Sequence, residues 1–221
     1  MFTSSTTPAD LPARRLCTAC ARPASTCICR WIDAVPLDAS LLILQHPLEV
    51  KHAKGSARLL HLCIPGSVLL TGETFDPALL AAHLHAGGRT PRLLYPDAVD
   101  AHAAANADAN ADANHAAVRL PATEVRLVVL DGTWRKSRKM LHLNPLLASL
   151  PRLALRAMPP SHYRIRKAHG PDQLSSFEAA AHALTGLPGQ GDCAARLGRL
   201  LAAFDGFVEQ QAGYVAARQA P

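Results

Sequence analysis

Apolar and polar positions along the chain follow two alternating periods. Leu41 to Gln45 (LLILQ) is a short, nearly unbroken apolar run that suits a buried strand, and Ser56 to Cys63 (SARLLHLC) has the spacing of an amphipathic helix. The alternation then continues. Val68 to Thr71 predicts a strand, Pro77 to Ala86 a helix opened by Asp76 as its cap, and Arg92 to Tyr95 another strand. Val125 to Leu130 (VRLVVL) is the strongest strand pattern and runs into a basic helix. Leu153 to Arg156 is a further strand candidate, and helices at about 175 to 186 and 192 to 216 complete the order. Strands alternating with helices predict an α/β fold, a mostly parallel sheet flanked by helices on both sides.

Two stretches break this rhythm. Residues 101 to 117 (AHAAANADANADANHAA) hold a tandem Asn-Ala-Asp-Ala repeat with almost nothing to bury, which reads as a mobile insertion without chemistry. Ahead of Trp31, four of the six cysteines fall close together as Cys17-x2-Cys20-x6-Cys27-x-Cys29. In a reducing compartment that spacing argues for metal rather than disulfides, and four thiolates are the ligand set of a closed, structural zinc site. Arg14, Arg15, Arg22 and Arg30 surround the cluster and offset its negative charge. Cys63 and Cys193 lie in helical patterns and are core or incidental. The expected organisation is a flexible N-terminus over 1–13, a zinc-binding module over 14–33, and the main domain over 34–221 with its insertion at 101–117.

Composition narrows the function classes. No apolar run reaches the roughly 20 residues of a membrane span, so no membrane segment is expected. The first sixteen residues lack the apolar core of a secretory signal, which points to a cytoplasmic protein. The formal charge of +6 and a pI near 9.2 favour a polyanionic partner. Between Gly132 and Gly170 there are nine basic residues and no acidic one: Arg135, Lys136, Arg138, Lys139, Arg152, Arg156, Arg164, Arg166 and Lys167. This segment is a candidate phosphate-binding face; a solvated helix face followed by a basic loop is the plainer alternative.

Three short motifs carry candidate chemistry. Asp131-Gly132-Thr133-Trp134 follows the strongest strand, and ligands of parallel sheets collect beyond the carboxyl ends of strands. Asp at such a place can equally cap the next helix. Leu174-Ser175-Ser176-Phe177-Glu178 is the pattern of a capping box, and a helix N-terminus can also hold a carboxylate. His46-Pro47-Leu48-Glu49, with Arg58 on the next helix, is expected to organise a loop by hydrogen bonds rather than to catalyse.

Taken together and in this order, these motifs resemble the DTW-domain family, named for the Asp-x-Thr-Trp found here at Asp131, Thr133 and Trp134. The resemblance extends from about Cys17 to about Leu187 and includes the cysteine cluster, His46-Pro47-x-Glu49, Leu94-Tyr95-Pro96, Tyr163-x-Ile165-Arg166-Lys167 and Leu174-Ser175-Ser176-x-Glu178-Ala179. Gly55-Ser56 stands where many members have Asn-Thr, and Ser176 where Thr is usual. The resemblance implies a fold related to SPOUT-type methyltransferases, with a knotted carboxy-terminal part. It implies S-adenosylmethionine bound by Tyr95 and Pro96, by Leu130 and Gly132, and by Leu174, Ser175, Ser176 and Glu178. It also implies transfer of the aminocarboxypropyl group to N3 of a uridine in tRNA.

In that setting Asp131 is the candidate base for the N3 proton, Trp134 stacks on a base or walls the sulfonium, and Thr133 completes the catalytic set. Arg135, Lys136, Arg138, Lys139, Arg164, Arg166 and Lys167 are the candidate tRNA contacts, and no obligate protein partner is inferred. The alternatives are a SPOUT-like RNA methyltransferase and a non-catalytic, zinc-containing RNA-binding protein.

Overall fold

The computed structural model describes residues 16–96, 120–163 and 174–219. The insertion at 101–117, Arg14, Arg15, and the basic residues Arg164, Arg166 and Lys167 lie outside these described residues. Chain order is β1 (Ser40–Gln45), α1 (Ala57–Cys63), β2 (Val68–Thr71), α2 (Pro77–Leu84), β3 (Thr90–Leu94), β4 (Val125–Asp131), α3 (Trp134–Leu143), α4 (Pro145–Ala148), β5 (Arg152–Leu153), α5 (Ser176–Thr185) and α6 (Cys193–Gln219). The five strands form one sheet in the order β2-β1-β4-β3-β5, and every pairing is parallel.

β1 and β4 lie in the middle and are buried on both faces, as their nearly unbroken apolar sequences require. Successive side chains alternate between faces. Leu41, Ile43, Val125, Leu127 and Val129 enter the larger core, with apolar residues of α1, α5 and α6. Leu42, Leu44, Val128 and Leu130 enter the second core, with Leu80 and Leu84 of α2, Met140 and Leu141 of α3, and Leu147 of α4. The result is a three-layer α/β arrangement.

Element ends follow local chemistry. Asp76 caps α2 by accepting from the Leu79 N–H at 2.8 Å, and α2 stops at Leu84, two residues before the expected Ala86, ahead of Gly87 at φ 70°. β5 is only Arg152–Leu153 and not the longer Leu153 to Arg156, because just Leu93 and Leu94 of β3 face it. Cys63 is fully buried in the larger core, whereas Cys193 is exposed.

The four-cysteine segment packs on the α6 side. Cys20 and Ile28 belong to the larger core. Trp31 lies across α6 at Gly206, where an added Cβ would stand 2.2 Å from the indole ring. The indole N–H donates to Gln210, whose amide in turn donates to the Cys27 carbonyl at 3.1 Å. Among the described residues, no helix is long and apolar enough to cross a membrane.

Gly206→Ala should therefore destabilise the protein by about 1–3 kcal/mol, the scale of overpacking a filled contact. The ring is tied at its N–H by the Gln210 hydrogen bond and has the Arg30 guanidinium 4.5 Å from its centroid, so withdrawing it would cost these contacts. Denaturant unfolding checks it: a midpoint unchanged from the parent protein would mean that Trp31 moves aside freely.

Candidate functional site

The site begins with register. Parallel pairing of β1 with β4 sets Gln45 beside Asp131, each the last residue of its strand. By alternation both side chains turn to the α5 face. The Gln45 amide donates to Asp131 Oδ2 at 2.9 Å, and the Asp131 carbonyl accepts from the His46 N–H at 3.0 Å. Asp131 is only 8% exposed and lines a cavity of about 520 Å³. This volume lies within the range of about 300–1,000 Å³ usual for small-ligand sites.

Three stretches distant in sequence form the walls. The turn after β4 contributes Asp131, Gly132 and Thr133; the segment leading into α1 contributes Gly55 and Ser56; the start of α5 contributes Ser175 and Ser176. Thr133 caps α3, accepting from the Lys136 N–H at 3.4 Å. A Cβ on Gly132 would lie 3.2 Å from the Lys136 Cβ and 3.6 Å from the His46 Cβ, so glycine lets the turn close against its neighbours. Ser56 stands at the N-cap of α1 without a side-chain capping bond and is one of the residues that line the cavity.

Tyr95, Pro96, Leu130, Trp134 and Glu178, also singled out in the sequence, are not among the residues that line the cavity. The Tyr95 and Trp134 rings meet edge to face at 5.4 Å, and the Tyr95 hydroxyl is 3.3 Å from Ser137 Oγ. Trp134 is 47% exposed, so it is a surface indole and not a core one. The Pro96 carbonyl accepts from Arg152 at 2.6 Å. Leu130 is buried in the second core, facing away from Asp131.

Glu178, 2% exposed, completes the capping box expected for Ser175 and also ties in the preceding loop. Its Oε2 accepts from the Ser175 N–H and the Ser161 hydroxyl, each at 2.8 Å, and its Oε1 from the His162 N–H at 2.6 Å. Its carboxylate thus holds the wall that Tyr163 and Ser175 form.

The basic segment divides. Arg135 and Arg138 on α3 are exposed and have no ion pair among the described residues, while Lys139 is exposed and contacts Glu73 at 2.8 Å. Lys136 turns inward and meets Glu49 at 2.7 Å across the cavity wall. His46 does organise its loop: Nδ1 accepts from the Leu48 N–H at 3.2 Å, which leaves Nε2–H to donate to Glu73 at 2.8 Å. Sequence reading missed Glu73 and Gln45. Gln45 did carry a signal, as a polar residue ending an apolar strand.

The cysteine cluster closes as expected for a metal. All four Sγ atoms lie within 4.8 Å of one another, with Cys17 to Cys29 at 3.5 Å and Cys20 to Cys27 at 3.7 Å. Tetrahedral zinc–thiolate bonds of about 2.3 Å would set the sulfurs about 3.8 Å apart. The backbone N–H groups of Cys20 and Ala19 pull the Cys17 thiol down to about 6, whereas a thiol hydrogen bond to Cys17 pushes Cys29 up to about 12.

Around the cluster, Arg22 donates to the Ala53 carbonyl at 2.8 Å and to the Gly55 carbonyl at 2.7 Å, and Arg58 donates back to the Ala19 carbonyl at 2.6 Å. The Tyr163 hydroxyl donates to the Lys54 carbonyl on the same wall.

A protein-family profile described as DTW domain matches residues 14–212. Curated proteins named tRNA-uridine aminocarboxypropyltransferase are similar. The type 2 protein of Macaca fascicularis is 30% identical over 79% of this chain and 57% of its own. That of Drosophila melanogaster is 32% identical over 80% and 68%, and the type A protein of Arabidopsis thaliana is 29% identical over 58% and 50%. The chain thus spans between half and about two thirds of the relatives it matches. No solved structure matches it.

One consequence of the geometry concerns pH. Lys139 first, and then His46, holds the Glu73 carboxyl below the usual carboxylate range. A carboxylate lowered in the folded state contributes stability above its unfolded value and loses it as pH falls through the folded one. Glu73→Gln should therefore lower the melting temperature at neutral pH, and the gap from the parent protein should close once Glu73 itself is protonated. Paired melting curves from neutral to acid pH test this; a gap independent of pH would assign the loss to shape, not charge.

Proposed function

We propose that this chain, which belongs to the DTW domain family, transfers the 3-amino-3-carboxypropyl group of S-adenosylmethionine to N3 of a uridine in tRNA. One observation carries the reading: three segments far apart in sequence converge on a cavity at the carboxyl ends of β1 and β4, with the family's Asp-x-Thr on its wall. The names of the relatives support the same substrate and group.

The donor would lie in this cavity, against the hydroxyls of Thr133, Ser56, Ser175 and Ser176. The start of α5 presents N–H groups there as well. In the reaction uridine N3 bonds to the first carbon of the transferred chain as the carbon–sulfur bond breaks, the electron pair stays on sulfur in methylthioadenosine, and the N3 proton leaves. Asp131 takes that proton. The neutral Gln45 amide orients the carboxylate without cancelling its charge. A carboxylate beside the sulfonium would stabilise the donor more than the transition state, where the positive charge is vanishing, so Asp131 belongs on the acceptor side. The exposed Trp134 is suited to stack on a base, with Arg135, Arg138 and Lys139 of the same helix for phosphates and Arg164, Arg166 and Lys167 as further contacts.

The same reading extends to the fold and its metal. A SPOUT-like sheet with a knotted carboxy-terminal part is supported by the all-parallel strands and by the return of the chain, after the edge strand β5, to the ends of β1 and β4. Zinc at Cys17, Cys20, Cys27 and Cys29 is supported by the sulfur spacing, and a reducing cytoplasm would keep these thiols available.

Incubation with S-adenosylmethionine and tRNA, followed by nucleoside mass spectrometry, tests the reaction. An aminocarboxypropyl-uridine with methylthioadenosine as by-product is expected; methyl-uridine with S-adenosylhomocysteine would replace the reading with a methyltransferase. Asp131→Asn should melt cooperatively and lose transfer by roughly 10²-fold or more, the usual scale for a positioned base. Near-normal turnover at saturating tRNA would reduce Asp131 to a structural residue. Elemental analysis should find about one zinc per chain, and less than about half an equivalent in well-folded, metal-replete protein would remove zinc from the account.

A further inference from the structure

Lys136 and Glu49 do not behave like the basic face to which Lys136 belongs in sequence. They come from the first turn of α3 and the turn after β1, meet at 2.7 Å, and both line the cavity. Their side chains are 26% and 14% exposed, half-buried where Arg135, Arg138 and Lys139 stand in solvent. An ion pair at this depth loses hydration, so a binding partner that restores full contact to both charges is favoured over water.

We propose that the Glu49–Lys136 pair is the receptor for the amino-acid end of the donor, with the Lys136 ammonium taking the α-carboxylate and the Glu49 carboxylate the α-ammonium. This assignment rests on the reading that S-adenosylmethionine is the donor. An α-amino acid carries its ammonium and carboxylate on one carbon, so its two charges lie as close together as those of the pair. Laid antiparallel, the four charges alternate around a ring and no net charge is buried. Before binding, each charge of the pair is already neutralised by the other, so the pair needs little reorganisation. The pair also bears on specificity. Three carbons are attached to the sulfonium, and the end of only one chain carries a zwitterion. Anchoring that end turns the aminocarboxypropyl carbon, and not the methyl, into a fixed position relative to Asp131. Glu49 and Lys136 are thus binding and positioning residues, and proton transfer stays with Asp131.

Titration calorimetry of the full chain with two probes tests the proposal. S-adenosylmethionine carries the amino-acid end, while methylthioadenosine shares the adenosine and sulfur but lacks it. Lys136→Met and Glu49→Gln should each weaken S-adenosylmethionine roughly tenfold or more, the scale of losing a charged hydrogen bond, and leave methylthioadenosine unchanged. Lys136→Arg, which keeps the charge, should stay within a few-fold of the parent and decides the matter together with Glu49→Gln if the Met variant does not fold. Equal weakening of both probes would make the pair a structural brace of the cavity and overturn the proposal. So would unchanged S-adenosylmethionine affinity with weakened tRNA binding, which would return Lys136 to the RNA face. If the parent protein does not bind S-adenosylmethionine, the donor reading itself fails; a parent that binds it with variants that weaken both probes alike overturns only the assignment of the pair.

Discussion

The parallel, in-register pairing of β1 with β4 is the constraint on which the site depends. It fixes Gln45 opposite Asp131 and, because side chains alternate, commits both to the face covered by α5. A slip of one residue would send Asp131 into the second core, where Leu130 now packs, and expose a leucine at the cavity wall. Two strands buried on both faces make that slip costly along their whole length. The apolar interior of the sheet therefore holds one polar contact, between an amide and a carboxylate, in place at its rim.

Much of this was legible in the sequence. Apolar runs and caps located the strands and helices to within a few residues, and the capping box at Ser175 and Glu178 formed as its spacing implied. The cysteine spacing likewise gave a closed cluster of four sulfurs. What the sequence did not carry was partnership across distance. Nothing local to Lys136 distinguishes it from Arg135 or Lys139; its inward turn follows from the pitch of α3, which sets it beside Glu49, and from the path of the chain after β1. Glu73 was invisible for the same reason, since its partners His46 and Lys139 are 27 and 66 residues away. The motif Asp-x-Thr-Trp also proved divided in its surroundings: Asp131 is at the cavity, Thr133 shapes the turn as a cap, and Trp134 stands outside against Tyr95.

Charge is sorted by depth. Lys136 is paired with Glu49 at the cavity wall and Lys139 with Glu73 beside it, whereas the outward arginines of α3 have no ion pair among the described residues and keep their full field. Paired charges act over contact distances only, while unpaired exposed ones reach to about a Debye length. One short helix thus presents a long-range surface for a polyanion and a short-range surface for a small ligand.

The two hydrogen bonds that Arg22 makes to the Ala53 and Gly55 carbonyls, answered by Arg58 on the Ala19 carbonyl, lace the cysteine knuckle to the cavity wall from both sides. Local unfolding proceeds in units whose members share their contacts. The knuckle and residues 52–58 make one such unit: the wall cannot open while the sulfurs are held, and the thiols cannot scatter while the wall is shut. Retention of a cation, were the four thiols to hold one, and the shape of the cavity would then be two readouts of a single opening equilibrium.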